Sequence, residues 1–278
     1  MRAVADPGPA VGSVPMLALL QELSARAWPV SPLRHSGDLA WQLAGRLDGL
    51  SIVAVDDAAA GFVDGEDGLC VLVDPARAEL LDDLLDHFDS RTVLTVDTDH
   101  ALLDRLRRRG YRPDTAGWWS RQIRHSLTGL PEPVLPPGFS LRQMTAFDLV
   151  ERVAVHRAAW HPSQQTEQRY RQVMATPTYR PEFDLVVRIP DGRFVANCLG
   201  WLDPITRVGV FEPVGTHPDF RRQGLGSAVC LAVMHALRAA GATECVVYPV
   251  LGHPTSVAYP LYRSLGFTDG PEVRRYVR

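Results

Sequence analysis

The residues with the clearest chemical content run from Val214 to Gly226, Val-Gly-Thr-His-Pro-Asp-Phe-Arg-Arg-Gln-Gly-Leu-Gly. An extended segment ends at Pro218, a basic, glycine-rich turn follows, and an apolar helix starts at once. Backbone N–H groups of such a turn, added to the positive end of the helix, make a pocket for phosphate oxygens. Gly224 and Gly226 allow close approach of the main chain and unusual φ values, while Arg221 and Arg222 bring charge. The pattern predicts a phosphorylated ligand. A P-loop needs a lysine after its glycines, and this chain has no lysine. A dinucleotide-binding loop needs glycine or alanine at position 229, where Val229 stands. It also needs an acid at the far end of the next strand, whereas Glu244 opens that strand.

Two segments narrow the choice. Arg221-x-x-Gly224-x-Gly226, preceded by Val214-x-Thr216-x-Pro218, is similar to the acyl-CoA pyrophosphate loop of the GNAT superfamily of N-acyltransferases. Residues 255–267, Thr-Ser-Val-Ala-Tyr-Pro-Leu-Tyr-Arg-Ser-Leu-Gly-Phe, resemble that family's later motif, in which Leu-Tyr, a short spacer and Gly-Phe end a helix and begin a strand. The resemblance implies an α/β (α+β) fold, a mixed, mostly antiparallel sheet flanked by helices. It implies acetyl-CoA as co-substrate and acetyl transfer to a primary amine. By the same resemblance Val214, Gly215, Thr216, Arg221, Arg222, Gln223, Gly224, Leu225, Gly226 and Ser227 contact CoA. Thr255 stands near the pantetheine arm, where the family often has asparagine. Tyr262 matches the tyrosine that protonates the CoA sulfur. Glu212, two residues before Val214 and expected on the same strand face, matches a carboxylate acting as base through water. Pro260 falls inside the expected helix and should kink or shorten it.

Acyl transfer from a thioester to an amine makes three demands. The amine must lose a proton from a pKa near ~10, the carbonyl oxygen must be stabilised, and the leaving thiolate needs a proton. In the family the acceptor pocket is built from the first two helices and the facing strands, so His156, Trp160, His161, Tyr179, Asp184, Asn197 and Trp201 are its candidates. His217 is expected to flank CoA, and His253 lies in a loop near the site. No histidine pair has metal-ligand spacing and no Gly-x-Ser-x-Gly occurs, so no metal or serine nucleophile is expected. The expected acceptor is a small-molecule amine, such as an amino acid derivative, an antibiotic or a natural-product intermediate. The alternatives are a peptide or protein N-terminus, a protein lysine, or a non-catalytic acyl-CoA sensor.

These groups need a scaffold, and the periodicity supplies one. Strands are predicted at 139–144, 184–188, 194–201, 208–216 and 244–248, with helices over 148–160 and 166–174 and another from Leu225 to a cap at Gly241. Residues 129–138 carry four prolines in ten and form a linker. The first half looks like a faded copy of the second, with a strand at 69–75, a helix at 78–88, a strand at 92–96 and a helix at 102–109. Gly110-Tyr111 then matches Gly266-Phe267, and Leu106 falls at the position of Tyr262. Where the second half has Arg-Arg-Gln-Gly-Leu-Gly, the first has Ala76-Arg-Ala-Glu-Leu-Leu81, with no glycine and with an acid. The expected division is a disordered tail over 1–19, a degenerate domain without a CoA site over 20–128, the linker, and a catalytic domain over 139–278.

Composition sets the outer bounds. At 278 residues and 46% apolar content the chain can form two packed cores. A net charge of −3 argues against a broad nucleic-acid or membrane surface. Cys70, Cys198, Cys230 and Cys245 have no CxxC spacing and sit in apolar stretches, which suits reduced, buried thiols and a cytoplasmic protein. Arginine as the sole strong base, with abundant alanine, is what a GC-rich bacterial genome produces. A monomer or homodimer is expected.

Overall fold

A computed structural model describes residues 13–65, 68–251 and 258–278. In chain order its elements are α1 (Ser13–Ala27), α2 (Ser36–Leu43), β1 (Ile52–Val55), β2 (Ala59–Asp64), β3 (Gly68–Val73), α3 (Leu80–Phe88), β4 (Thr92–Val96), α4 (His100–Arg108), β5 (Arg112–Pro113) and β6 (Trp119–His125). They continue with β7 (Ser140–Gln143), α5 (Leu149–Ala159), α6 (Glu167–Met174), β8 (Asp184–Arg188), β9 (Phe194–Leu202), β10 (Val208–Thr216), α7 (Leu225–Ala239), β11 (Glu244–Val247), β12 (Val250–Leu251), α8 (Ala258–Ser264) and β13 (Thr268–Val277). The mixed, mostly antiparallel α/β architecture is the one expected. β4, β8 and β10 have the predicted bounds.

Two compact units divide the chain. Of the described residues, unit 1 takes those within 1–123, 248–257 and 269–278, and unit 2 those within 124–247 and 258–268. They are therefore not the two consecutive segments expected on either side of the prolines. The physical reason is a strand exchange. β4 pairs antiparallel with β13, from Val96 opposite Val273 to Thr92 opposite Val277, and Val273 is buried in the unit 1 core. The expected tail also gives way at its end. α1 begins at Ser13, and Leu17 and Leu20 are buried because they pack with Phe62, Leu72 and Leu94.

In unit 1, β1–β2–β3 is an antiparallel meander and β3 turns parallel to β4. Alternation along β3 sends Cys70 and Leu72 to one face, with Leu20, Leu23 and Leu39, and Leu69 and Val71 to the other, with Leu81, Leu84 and Leu102. In unit 2 the strand order is β11-β10-β9-β8-β7, antiparallel except for the parallel pair β10–β11. α7 buries Val229, Cys230, Val233 and Leu237. It ends as predicted, with Gly241 at φ +97° just beyond it. Pro260 is tolerated because it sits in the first turn of α8, where its missing N–H would have had no intrahelical acceptor.

Candidate active site

The site is built on β10. β10 pairs with β11 only from Val208 to Val210, so beyond Val210 one edge of β10 has no β11 partner. On its other edge, the His217 N–H donates to the Val195 carbonyl at 2.9 Å. Stepping back along the antiparallel register makes Gly215–Asn197 the next pair that exchanges hydrogen bonds. Val214 and Thr216 therefore turn their N–H and C=O groups away from β9, toward the open edge. Both carbonyls are occupied from within the unit. The Trp160 indole Nε1 donates to the Val214 carbonyl at 2.9 Å, and the Arg221 Nε donates to the Thr216 carbonyl at 3.3 Å. What the open edge offers a ligand is N–H donors.

A register shift between Phe211 and Val214 interrupts β10 at Glu212-Pro213. Glu212 and Val214 consequently do not share a face by simple alternation, which corrects the sequence expectation. Pro213 has no N–H, and such residues collect at bulges. The Trp201 indole donates to the Glu212 carbonyl at 2.7 Å and holds the bulge from the core. Trp201 is 1% exposed, so it supports the strand instead of lining an acceptor pocket.

The glycine-rich turn has the backbone construction expected of an anion site. Arg222 and Gly224 are left-handed, at φ +65° and +79°. The first main-chain bond of α7 runs from Ala228 N–H to the Gly224 carbonyl, and no side chain caps the helix. The N–H groups of Leu225, Gly226 and Ser227 therefore lack intrahelical acceptors, as an anion site requires. A Cβ on Gly226 would lie 3.3 Å from the Thr216 Oγ1, so glycine lets the helix start press against β10. Leu225 is buried and anchors this first turn, while Gln223 is exposed. The two arginines differ. Arg221 also donates from Nη2 to the Ala159 carbonyl at 3.1 Å and so staples the end of α5 to β10. Arg222 is exposed and has no ion-pair partner among the described residues. His217 caps the turn, its Nδ1 accepting the Asp219 N–H at 3.3 Å.

Tyr262 is 4% exposed and packs with Phe211 and Phe267, ring centroids 6.4 and 5.8 Å away. Burial, with the neighbouring thiols of Cys230 and Cys198 and the Glu212 carboxylate, pushes its phenol well above the usual tyrosine range. That coupling brings Tyr262 and Glu212, distant in sequence, within electrostatic reach of each other. Cys198, Cys230 and Cys245 are fully buried, and burial raises the thiols of Cys198 and Cys245. Such thiols make poor nucleophiles.

On the opposite face of the β9–β10 pair, α5 presents Arg152, His156 and Trp160 at four-residue spacing. Arg152 and Asp184 are both fully buried, with Nε 3.0 Å from the carboxylate. Tyr170 also donates its hydroxyl to Asp184, and Tyr179 does so at 3.1 Å. Asp184 is thus fully buried in a hydrogen-bonded network, which takes it out of the expected acceptor pocket, while Tyr179 is half-buried and donates to it. Sequence reading missed Arg152, because nothing in the α5 pattern separates a buried arginine from an exposed one. Trp160 is 52% exposed and stacks on His156 at 6.4 Å. Asn197 is fully buried and its Oδ1 has no hydrogen-bond partner among the described residues, while its Nδ2 lies 3.4 Å from the Gly215 carbonyl. Gly215 explains this proximity. A Cβ there would meet the Ala159 Cβ at 2.6 Å and approach both Asn197 and Trp160 at 3.3 Å. His161 is exposed beyond the end of α5. Thr255 and His253 lie outside the described residues.

Burial, then the charges of Arg152 and Arg169, pulls His156 down to about 3. A base that weak does not deprotonate an ammonium ion, so His156 is a neutral partner at working pH. It also makes stability pH-dependent. The unfolded chain takes up a proton near pH ~6.5 that the folded chain refuses, so stability is full above that pH and falls below it toward pH 3. From pH 7.5 to 5.5 the loss from this residue is about 1.4 kcal/mol. Denaturant titrations should show a pH dependence flatter by that amount in His156→Gln.

Residues 150–267 match the family model described as acetyltransferase (GNAT) family. A mycothiol acetyltransferase of Segniliparus rotundus is 31% identical over 158 residues, 54% of this chain and 59% of the relative. A mycothiol acetyltransferase of Streptomyces griseus is 33% identical over 156 residues, 53% of this chain and 50% of the relative. The chain thus spans about half the length of the curated relatives it matches. Among solved structures, a GCN5-related N-acetyltransferase from Sphaerobacter thermophilus superposes with a TM-score of 0.62 at 19% identity, over 94% of this chain and 91% of its own. A tandem GNAT protein from the clavulanic acid biosynthesis pathway gives 0.61 at 12% identity, over 95% and 94%. At these identities the structural likeness speaks for the fold.

Proposed function

We propose that this chain, whose residues 150–267 match the GNAT acetyltransferase family model, is an acyltransferase that moves an acetyl group from acetyl-CoA directly to a primary amine of a small molecule. The observation that carries this reading is the open edge of β10. Its carbonyls at Val214 and Thr216 are capped by Trp160 and Arg221, and its N–H donors face the gap left by β11. In this reading the Val214 N–H stabilises the thioester oxygen as it gains charge, and the Thr216 N–H holds the pantetheine arm. The uncapped start of α7 and Arg222 hold the phosphates. Glu212 takes the proton from the amine through water, the new C–N bond forms as the C–S bond breaks, and Tyr262 gives its proton to the sulfur. Direct transfer fits the inert, buried thiols. The mycothiol acetyltransferase name of the relatives favours a small acceptor connected with mycothiol over a peptide.

Unit 1, in the same reading, is a degenerate copy. Two local features support the idea. Tyr111 N–H bonds to the Leu106 carbonyl at 3.0 Å and Phe267 N–H to the Tyr262 carbonyl at 3.2 Å, each after a left-handed glycine. β3 and β4 pair in parallel at Leu69 and Val93, then part as β10 and β11 do. Arg77, the loop arginine of unit 1, is bound to Glu79 at 2.6 Å.

Calorimetric titration with acetyl-CoA tests both ideas, joined to thiol release across amines that include compounds related to mycothiol. One site per chain is expected, with release for some amines. Arg222→Ala should weaken acetyl-CoA roughly tenfold, the worth of a charged hydrogen bond, and Arg77→Ala should leave it unchanged. Equal losses at both positions would refute the silent role of unit 1. Absence of binding would refute the acetyl-CoA reading.

A further inference from the structure

Unit 1 holds a cavity of about 190 Å³ where β3 and β4 part. Its walls are largely apolar, with Val71, Val73 and Leu81, and two carboxylates, Asp74 and Asp99, stand among them. Asp74 is satisfied. One oxygen accepts the Ala76 N–H at 2.9 Å and the other lies 3.2 Å from Arg26, whose guanidinium also donates to the Asp57 carbonyl. Asp99 is different. It is only 7% exposed, one oxygen accepts the Leu102 N–H at 3.0 Å, and the other has no hydrogen-bond or ion-pair partner among the described residues. The second Asp99 oxygen is not among the buried unpartnered atoms, so it keeps access to solvent and a cation can reach it. The lining carries two carboxylates and no cationic side chain, Arg26 reaching Asp74 from beyond it.

We propose that unit 1 carries a second, non-catalytic ligand site between the parted ends of β3 and β4, which takes a small aliphatic ammonium ion and refuses anions. The charge is inverted relative to the turn of unit 2. Where Arg221, Arg222 and two glycines stand there, Asp74-Pro75 opens the corresponding turn here and Glu79 neutralises Arg77. Pro75 supplies no N–H, and the Asp74 side chain already takes that of Ala76, so little remains to cradle a phosphate. The cavity suits an amine of roughly four to six non-hydrogen atoms and is too small for a nucleotide. Its apolar wall holds the alkyl chain and the unpartnered Asp99 oxygen receives the ammonium. The site therefore selects the chemical class, a small primary amine, proposed as acceptor for unit 2. Its test involves no turnover and stands apart from that reading.

The test is n-butylammonium titrated into the full chain without acetyl-CoA, followed by amide NMR, with butyrate and 1-butanol as controls. Saturable shifts are expected at Val73, Asp99 and Ala101 with the ammonium and none with butyrate. Asp99→Asn retains a good helix cap but removes the charge, and should weaken the ammonium about tenfold while leaving 1-butanol unchanged. The proposal is overturned if butyrate binds as well as the ammonium, or if Asp99→Asn binds the ammonium as the wild type does. Should that variant fail to fold, Ala78→Leu fills the cavity from the turn. Loss of ammonium shifts would then support the site, and their persistence would overturn it.

Discussion

Tyr262→Phe is expected to lower turnover by about two to four orders of magnitude while leaving acetyl-CoA affinity within about twofold, as removal of a general acid does. The phenol sits against Phe211 and Phe267 and is almost wholly buried, so phenylalanine preserves the packing and removes only the hydroxyl. Single-turnover thiol release and calorimetry on the same variant separate chemistry from binding. The direction of the Tyr262 shift adds a pH signature. Because burial, with Cys230, Cys198 and Glu212 nearby, raises the phenol above its ordinary value near ~10, it remains a proton donor throughout the range in which the acceptor amine becomes neutral. The rate should therefore rise with pH through that range without the alkaline fall that a free tyrosine would impose near pH 10. Unchanged release by Tyr262→Phe would remove the residue from the mechanism.

Asp184→Ala is the second large effect, and it concerns stability. The carboxylate is fully buried and accepts from Arg152, Tyr170 and Tyr179. Burial works against the charge on Arg152, but Asp184 and the tyrosines outweigh it, and the guanidinium is held charged. Its Nη1 and Nη2 have no hydrogen-bond partner among the described residues, and its centre lies 4.9 Å from the Tyr170 ring, a cation–π contact. Removing the carboxylate strands that cation in the core. The expected cost is about 3–5 kcal/mol, seen in thermal unfolding as a fall of roughly 6–20 °C. The double change Arg152→Met with Asp184→Leu should recover most of the loss, because replacing a buried pair costs far less than breaking one. A single variant as stable as the wild type would mean that the network carries no load.

The strands at 184–188 and 208–216 were legible because β-branched residues crowd between turn signals. The helix from Leu225 was legible from its apolar period and from Gly241. The glycine-rich turn before α7 was legible for a stronger reason. Left-handed residues and an uncapped helix start are local backbone properties, written in the order of glycines and arginines. Less could be read of side-chain duties. Arg221 and Arg222 are neighbours of one type, yet the first is turned onto the carbonyls of Thr216 and Ala159 while the second faces outward. Trp160, Trp201, Asp184 and Tyr179 were grouped as pocket residues. Only Trp160 among these is exposed, and the other three hold a bulge or a buried ion network.

The sequence by itself determined the fold class, the left-handed glycine-rich turn before α7 and the place of Tyr262 in α8, since each rests on short-range periodicity and backbone conformation. Tertiary structure alone decided that Tyr262 packs against Phe211, that Trp160 reaches the Val214 carbonyl, and that β13 completes the sheet of unit 1 beside β4. These are contacts between residues far apart in the chain. They follow from strand pairing and close packing, in which each partner is selected by what remains unburied or unbonded once the local elements have formed.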